Sequence, residues 1–318
     1  MKIVFKHSPG LLALVAGCAP IRPAEGDVYR PFAEDHLAVP LARLSSHRRI
    51  VEQAAAATPA DAPAVFAAIR ADYDAYDLSD AVAGCVDAHG SDGSPIGARL
   101  DGQLSRAITA GGAAQDAIAI ERAAGILDHA LLVYFSTEVY AELAAETPEA
   151  LDAAFGTTGL GLDGLPINGL AAVAAGREAE YGASIVEPEF GALLGGRDAL
   201  AAPAEGPDGF AAYRDEVERQ LLRTIAYHTR HEIDEAWETP DLRLLHARTI
   251  WQGIDGYAAI AAPSAAAAAI GAMWPTGRPD LDDDALLTID LDAVRVGAIP
   301  FDDAALAQAI DDLLATLE

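Results

Sequence analysis

The sequence predicts an all-α protein, built as a helical bundle. Apolar residues recur at intervals of three and four over several long stretches, which is the period of a helix face. Strands with alternating apolar residues are nearly absent, and Leu287–Val296 is the one stretch that suits a short strand. The chain has 318 residues, of which 52% are apolar and 22% charged. These values are typical of a folded chain that buries a sizeable core.

The first residues predict an export signal. Lys2 and Lys6 give a positive start, an apolar stretch follows at 11–15, and Val15-Ala16-Gly17-Cys18 resembles a lipobox. We therefore predict a signal peptide over 1–17 and lipid attachment at Cys18. The alternative is an ordinary buried N-terminal strand in which Cys18 has no special role.

A lipid at this position would anchor the protein to a membrane while the folded domain stays in solvent. The expected location is therefore extracytoplasmic, at the cell surface or in a periplasm. Residues 18–41 contain four prolines and are predicted to form a tether. The remaining residues, 42–318, are predicted to form a single helical domain.

The helices of this domain follow one another along the chain. The first is predicted over 42–57, and the second restarts at Thr58-Pro59, because threonine suits an N-cap and proline suits the first helical position. A loop is predicted at 88–96, and the glycine-rich stretch 156–164 is predicted to be a flexible connector. The other helices are predicted at 97–109, 114–145, 147–154, 167–181, 208–238, 241–261 and 302–317.

Two parts of the chain, about 97–190 and 208–275, predict an internal duplication of long-helix pairs. A shift of 94 residues superposes the apolar stripe of the first long helix on that of the second. The shift also pairs Tyr134 with His228 and Glu138 with Glu232. Chance agreement between two amphipathic helices is the alternative explanation.

The charge of the chain limits the classes of partner. Asp and Glu number 49 against 21 Lys and Arg, a formal net charge of −28. This acidity argues against nucleic acid and anionic membrane surfaces as partners, because both require a basic footprint. The only lysines are Lys2 and Lys6, so cleavage of the signal would exclude Schiff-base and P-loop lysine chemistry. An acidic, lysine-free surface suits high salt and predicts a halophilic source, with a GC-rich genome as the alternative.

Both long helices carry acids into their apolar stripes. The later stripe runs through Val217, Leu221, Ile225, His228, Glu232 and Glu235, and the earlier one through Ile120, Ala124, Leu127, Leu131, Tyr134 and Glu138. A buried carboxylate without a partner costs several kcal/mol. A metal ion is one possible partner for such a carboxylate. Because the chain has only two cysteines, a Cys-x-x-Cys metal site is excluded.

The predicted metal ligands are oxygen-rich, with one imidazole at the centre. Such donors suit iron, zinc or manganese. His231 lies about 100° from Glu232 around the helix and joins the set if the stripe is broad. Two alternatives stay open: the acids pair with Arg122, Arg177, Arg219 or Arg223, or the helix ends are solvated. The candidate ligands are Tyr134, Glu138, Glu178, His228, His231, Glu232 and Asp255.

Several sharper motifs are absent from the sequence. His231-Glu232 begins like the helix of a zinc protease, but Glu235 stands where the second histidine belongs. A zinc protease of that type is therefore not expected. No Glu-x-x-His or Gly-x-Ser-x-Gly occurs, so the ferritin-like di-iron pattern and the serine hydrolase elbow are both missing.

The stretch Tyr227–Ala236, followed by His246 to Tyr257, resembles the Fea-type iron-assimilatory proteins, which are extracytoplasmic and helical. The resemblance implies an all-α, exported, iron-linked protein. Carried over by position, it points to His228, His231 and Glu232 and, through the repeat, to Glu138.

The leading hypothesis is an exported, lipid-anchored protein that binds a metal, above all iron, for uptake or storage at the cell surface, with an envelope transport partner. A non-catalytic structural or partner-binding envelope lipoprotein is the second hypothesis, and a hydrolase with paired carboxylates is the third. Convergence of Glu138 and Glu232 would favour the first hypothesis, whereas a wide separation of the two acids, or an arginine against each of them, would favour the second. Protonation of His228 near pH ~6 is expected to weaken metal binding.

Overall fold

The computed structural model describes residues 26–85, 96–202, 208–235 and 303–318, and it confirms the predicted all-α helical bundle. The described residues form no strand, only an isolated bridge between Leu160 and Pro166. Short 3₁₀ helices at Glu34–Leu37 and Ala75–Asp77 supplement the α-helices. These α-helices are α1 (Ala38–Ala56), α2 (Ala62–Tyr73), α3 (Leu78–Ala83), α4 (Ile96–Gly112), α5 (Ala117–Ala144), α6 (Pro148–Thr158), α7 (Gly169–Tyr181), α8 (Val186–Ala201), α9 (Asp208–Glu235) and α10 (Asp303–Leu317).

Several predictions fall outside the described residues. They are the signal peptide 1–17, the lipid attachment at Cys18, the loop 88–96 as far as residue 95, the helix 241–261 with Asp255, and the strand Leu287–Val296. The second helix of the later repeat is among them, so the internal duplication stays a prediction. In the part of the chain that is described, no helix combines the length and the apolarity that crossing a membrane requires.

Two long helices, α5 and α9, form the centre of the bundle. Each has 28 residues, and the carboxylate of Asp116 caps α5 by accepting a hydrogen bond from the N–H of Ala119 at 2.8 Å. Helix α5 packs against α1, α4, α6 and α7, whereas α9 packs against α7, α8 and α10. The two helices touch over a short stretch, and the candidate site lies there.

The segment before α1 belongs to the core, so the prediction of a tether over 18–41 is wrong for its described part. Tyr29 is fully buried and stacks on Phe155 with ring centroids 3.8 Å apart. The buried carboxylate of Asp152 accepts hydrogen bonds from the Tyr29 hydroxyl at 2.9 Å and from two backbone N–H groups of the segment. It also pairs with His36 at 2.9 Å. The end of the predicted tether is already helical, since Pro40 lies in the first turn of α1.

The predicted connector at 156–164 is partly helical and tightly folded. Helix α6 continues to Thr158, and Gly156 to Thr158 are buried. The helix ends at Gly159, which has φ +85° and lies so close to the carbonyl of Asn168 that a Cβ would collide with it. A narrow hairpin closed by the Leu160–Pro166 bridge then leads towards α7.

Helix α2 begins later than predicted, and helix α8 is absent from the predictions. Helix α2 begins at Ala62 after Asp61, whose carboxylate accepts hydrogen bonds from the N–H and hydroxyl of Thr58. Thr58 therefore lies before the helix and is not its N-cap. Helix α8 was not predicted. At its start, the N–H of Val186 donates a hydrogen bond to the carboxylate of Glu178 at 2.7 Å.

Candidate metal centre

A buried group of His129, His228 and Glu232 lies where α5 meets α9, and it could hold a metal ion. Their exposed fractions are 4%, 8% and 2%. One ligand atom from each residue can be chosen so that all three lie within 4.8 Å of one another. His228 and Glu232 are four residues apart on α9 and share a face, while His129 reaches them from α5.

The contacts within the group are polar and close. The Nε2 atom of His129 lies 3.8 Å from a carboxylate oxygen of Glu232. The rings of His129 and His228 are 5.1 Å apart in an edge-to-face arrangement. Both ring nitrogens of His228 are buried and, among the described residues, make no hydrogen bond. A buried polar atom without a hydrogen bond costs about 1–3 kcal/mol. A metal ion bound at the ring nitrogen would remove this cost.

The environment keeps His228 neutral. Burial, followed by the proximity of His129, lowers the pKa of His228 to about 3. Its lone pair is therefore available to a metal at any pH near neutrality. The expectation that protonation near pH 6 would remove this ligand is wrong, because it used the pKa of a solvated imidazole.

A second pair, made of buried His47 and half-buried Asp128, adds negative charge beside the group. The carboxylate of Asp128 on α5 accepts a hydrogen bond from Nε2 of His47 on α1 at 2.8 Å. Burial alone would raise the pKa of Asp128, but this hydrogen bond and the surrounding imidazoles lower it to about 2. Asp128 is thus ionised, and its charge favours a cation in the neighbouring site.

A partly exposed pair lies on the outer side of the group. His231 stacks on His228 with ring centroids 6.3 Å apart and planes 20° from parallel. Its Nδ1 atom is 3.0 Å from the carboxylate of Glu180 on α7. The same carboxylate pairs with Arg177 at 2.8 Å. His231 therefore contacts the buried group from outside and is not one of its three members.

The predicted convergence of Glu138 with Glu232 does not occur at this group. Glu138 lies nine residues after His129, which is about 13.5 Å further along α5 and roughly half a turn around it. There it pairs with Arg43 of α1 at 3.6 Å. Tyr134, also a predicted ligand, accepts a hydrogen bond from the same guanidinium at 3.3 Å. Glu138 and Tyr134 are therefore both partners of Arg43, an arginine that was not among the predicted partners of the acids.

Glu178 also has a structural role in place of the predicted one. Its carboxylate accepts hydrogen bonds from the N–H groups of Ile185 and Val186 at the start of α8. Of the arginines that were weighed as partners for the acids, Arg219 pairs with Glu216 and Arg223 donates to the carbonyl of Ser184. The predicted set therefore keeps His228 and Glu232 as members of the group and His231 as their neighbour.

His129 is the residue that the sequence analysis missed. The stripe through Leu127 and Leu131 placed it away from the predicted interior, but residues 129–137 are buried without interruption. The run of six apolar residues from Ala130 to Phe135 was a usable signal, because a helix that is apolar all round is surrounded by protein. On such a helix a histidine is buried whichever face it occupies.

Two imidazoles and one carboxylate form a donor set that iron(II) and zinc both accept, and three protein ligands leave coordination positions open. The arrangement can therefore bind an ion without saturating it. The three ligand atoms need to move closer, because ligands about 2.1 Å from one ion lie ~3–3.5 Å from each other. Compared with protein-family models, curated proteins and solved structures, the chain matches none.

Proposed function

We propose that this protein binds one transition-metal ion, iron above all, between His129, His228 and Glu232. The single observation that carries the proposal is His228, a buried and neutral imidazole whose two nitrogens have no hydrogen-bond partner among the described residues. A buried group of this kind calls for an explanation. Its neighbours are another imidazole and a carboxylate, which are the usual companions of a metal-bound histidine.

The charges around the group support a cation. Glu232 brings one negative charge, and Asp128, held ionised by its contact with His47, brings a second one nearby. Glu232 lies in the interior, where its charge acts strongly on an ion, whereas Asp128 is 34% exposed and adds a weaker, partly screened attraction. Iron is placed before zinc and manganese because of the resemblance at 227–236, since the donors themselves accept all three ions.

The proposed role is binding for uptake or storage, not turnover. All three ligands are less than 10% exposed, which suits retention of an ion better than access by a substrate. With the predicted signal peptide and the predicted lipid at Cys18, the protein would act at the outer side of a membrane, in an extracytoplasmic compartment. A transport partner in the envelope would then receive the ion.

Metal analysis tests the proposal directly. The full chain is purified without a histidine tag in high salt, loaded with Fe(II) under anaerobic conditions, desalted and analysed for bound iron. We expect about one equivalent in the wild type and a loss of at least tenfold in occupancy for His228→Ala and Glu232→Gln. Glu138→Gln is the matched control, since it removes a carboxylate from the Arg43 pair and leaves the iron in place.

Two results would contradict the proposal. One is a wild type that binds none of Fe(II), Fe(III), Zn(II) or Mn(II) after loading. The other is equal loss of metal in Glu138→Gln and His228→Ala, which would mean that folding and not ligation controls occupancy. Metal analysis of the protein as purified, before any loading, tests the assignment of iron, because zinc outcompetes Fe(II) at most sites of this kind.

An exposed apolar loop favours a second function, that of a partner-binding envelope lipoprotein. Leu162, Leu165 and Ile167, in the hairpin before α7, are exposed, and so is Val28, next to Tyr29, whose N–H donates to the carbonyl of Leu162. Clustered large apolar side chains on a rigid loop are typical of docking surfaces. Cross-linking of membrane preparations tests this function: Leu165→Asp with Ile167→Asp should abolish a specific adduct that the wild type forms, whereas Ile118→Asp, an exposed site elsewhere, should not.

A further inference from the structure

Three imidazoles form a series from the surface of the bundle to its interior. His231 has a side chain that is 15% exposed, and beyond it the carboxylate of Glu180 is 36% exposed. His228 follows at a ring distance of 6.3 Å, and His129 at a further 5.1 Å. Each step inward replaces solvent with protein, and each ring contacts the next.

We propose that His231 and Glu180 form an outer cation station, which takes up an ion from solvent and passes it to His228. The proposal rests on the proposed function, because it assigns the route by which the buried group is loaded. The ligand class is a borderline divalent cation, such as Fe(II), Zn(II) or Co(II). One imidazole and one carboxylate are donors that such ions accept.

The geometry makes this station suitable for transfer and poor for retention. Two protein ligands hold an ion less firmly than three, and the carboxylate of Glu180 is shared with Arg177, 2.8 Å away. The guanidinium competes with an arriving cation and favours its departure. The parallel rings of His231 and His228 lie three residues apart on one helix, so the ion moves a short distance to the next donor.

The rate of loading tests this inference, with Co(II) as the probe. Stopped-flow absorption in the visible range follows Co(II) as it enters the full-length protein under anaerobic, high-salt conditions. We expect His231→Gln to slow the association about tenfold and to leave the final stoichiometry at the wild-type value. Glutamine keeps the length of the side chain and an N–H for Glu180 but removes the imidazole donor.

Two further variants separate the station from general effects. Glu180→Gln should also slow the uptake of Co(II). Glu187→Gln, which removes the same charge from an exposed position on α8, should leave the rate unchanged. This pair distinguishes a local donor from the overall attraction of an acidic protein for cations.

Each alternative outcome has a separate meaning. A wild type that takes up neither Co(II) nor Fe(II) overturns the proposed function itself, and one that takes up Fe(II) but no Co(II) overturns the outer station, whose ligand class includes Co(II). Normal uptake with an unchanged rate in His231→Gln overturns only the outer station. If His231→Gln loses the ion at equilibrium, His231 is a permanent ligand, and the transfer role is wrong. Faster uptake in His231→Ala than in the wild type would show a steric plug instead of a station.

Discussion

Replacing Glu189 by glutamine should change how the stability of the protein depends on pH. Glu189 lies on α8 and is 1% exposed, and its Oε1 atom makes no hydrogen bond among the described residues. Burial, together with repulsion from Glu178, raises the pKa of Glu189 to about 8. The folded protein therefore keeps a proton at neutral pH that the unfolded chain loses above its ordinary pKa of 4.5.

The size of the effect follows from proton linkage. Between pH 4.5 and 8 the unfolded state binds fewer protons than the folded state, so the free energy of unfolding of the wild type falls as the pH rises. The decline is ~1.4 kcal/mol per pH unit at its steepest, and it amounts to about 2.5 kcal/mol between pH 5 and pH 7. Glutamine has no proton to lose, so the stability of Glu189→Gln relative to the wild type should rise by this amount.

Urea unfolding followed by circular dichroism measures this difference at pH 5, 6 and 7 in one fixed salt concentration. Glu187→Gln on the same helix is the control, because that residue is exposed and its replacement should shift the unfolding curve equally at every pH. A difference between Glu189→Gln and the wild type that stays constant from pH 5 to 7 would refute the reasoning. It would mean that Glu189 is ionised in the folded protein.

Three other perturbations have expected outcomes. Tyr29→Phe removes one hydrogen bond from the buried carboxylate of Asp152 and should cost about 2 kcal/mol in urea unfolding, whereas Tyr76→Phe, at an exposed position, should cost less than ~0.5 kcal/mol. Gly159→Ala should destabilise the protein by at least ~1 kcal/mol, because the positive φ and the carbonyl of Asn168 leave no room for a Cβ. An unchanged urea midpoint in Tyr29→Phe or in Gly159→Ala would contradict the expectation for that variant. Removing iron with a chelator should lower the melting temperature, since an ion at 100 times its dissociation constant stabilises the folded state by ~2.7 kcal/mol; an equal shift in His228→Ala would assign the effect to another site.

The fold was predictable where local pattern and tertiary packing agree. Helices α5 and α9 follow from their apolar spacing, and most of the stripe residues are buried as expected. Helix α8 was missed because Gly191, Gly195 and Gly196 lower its intrinsic helix propensity, each by about 1 kcal/mol relative to alanine. At Gly195 the reason is tertiary: a Cβ there would collide with the ring of Tyr213 on α9. A sequence pattern cannot show that two helices approach this closely.

The candidate site was predictable in part for a similar reason. His228 and Glu232 share one face of one helix, so periodicity along that helix places them together. The third member, His129, comes from another helix, and the 94-residue shift directed attention to Glu138 in its place. Only the packing of α1 on α5 brings Arg43 to Glu138, and only the contact between α5 and α9 brings His129 to His228.

For the stability of the fold alone, the polar trio of His129, His228 and Glu232 at this contact is an unfavourable choice of residues. Three buried polar side chains stand where leucine-sized groups would fill the same space, and replacing a buried polar or ionic cluster by apolar residues is often neutral or stabilises by about 1–4 kcal/mol. We therefore expect the triple variant His129→Leu, His228→Leu and Glu232→Leu to unfold at an equal or higher urea concentration than the metal-free wild type, yet to bind no iron. A triple variant that is less stable than the metal-free wild type by several kcal/mol would indicate that the trio supports the fold through its own contacts. Equal or greater stability without iron binding would separate the function of the trio from the architecture that surrounds it.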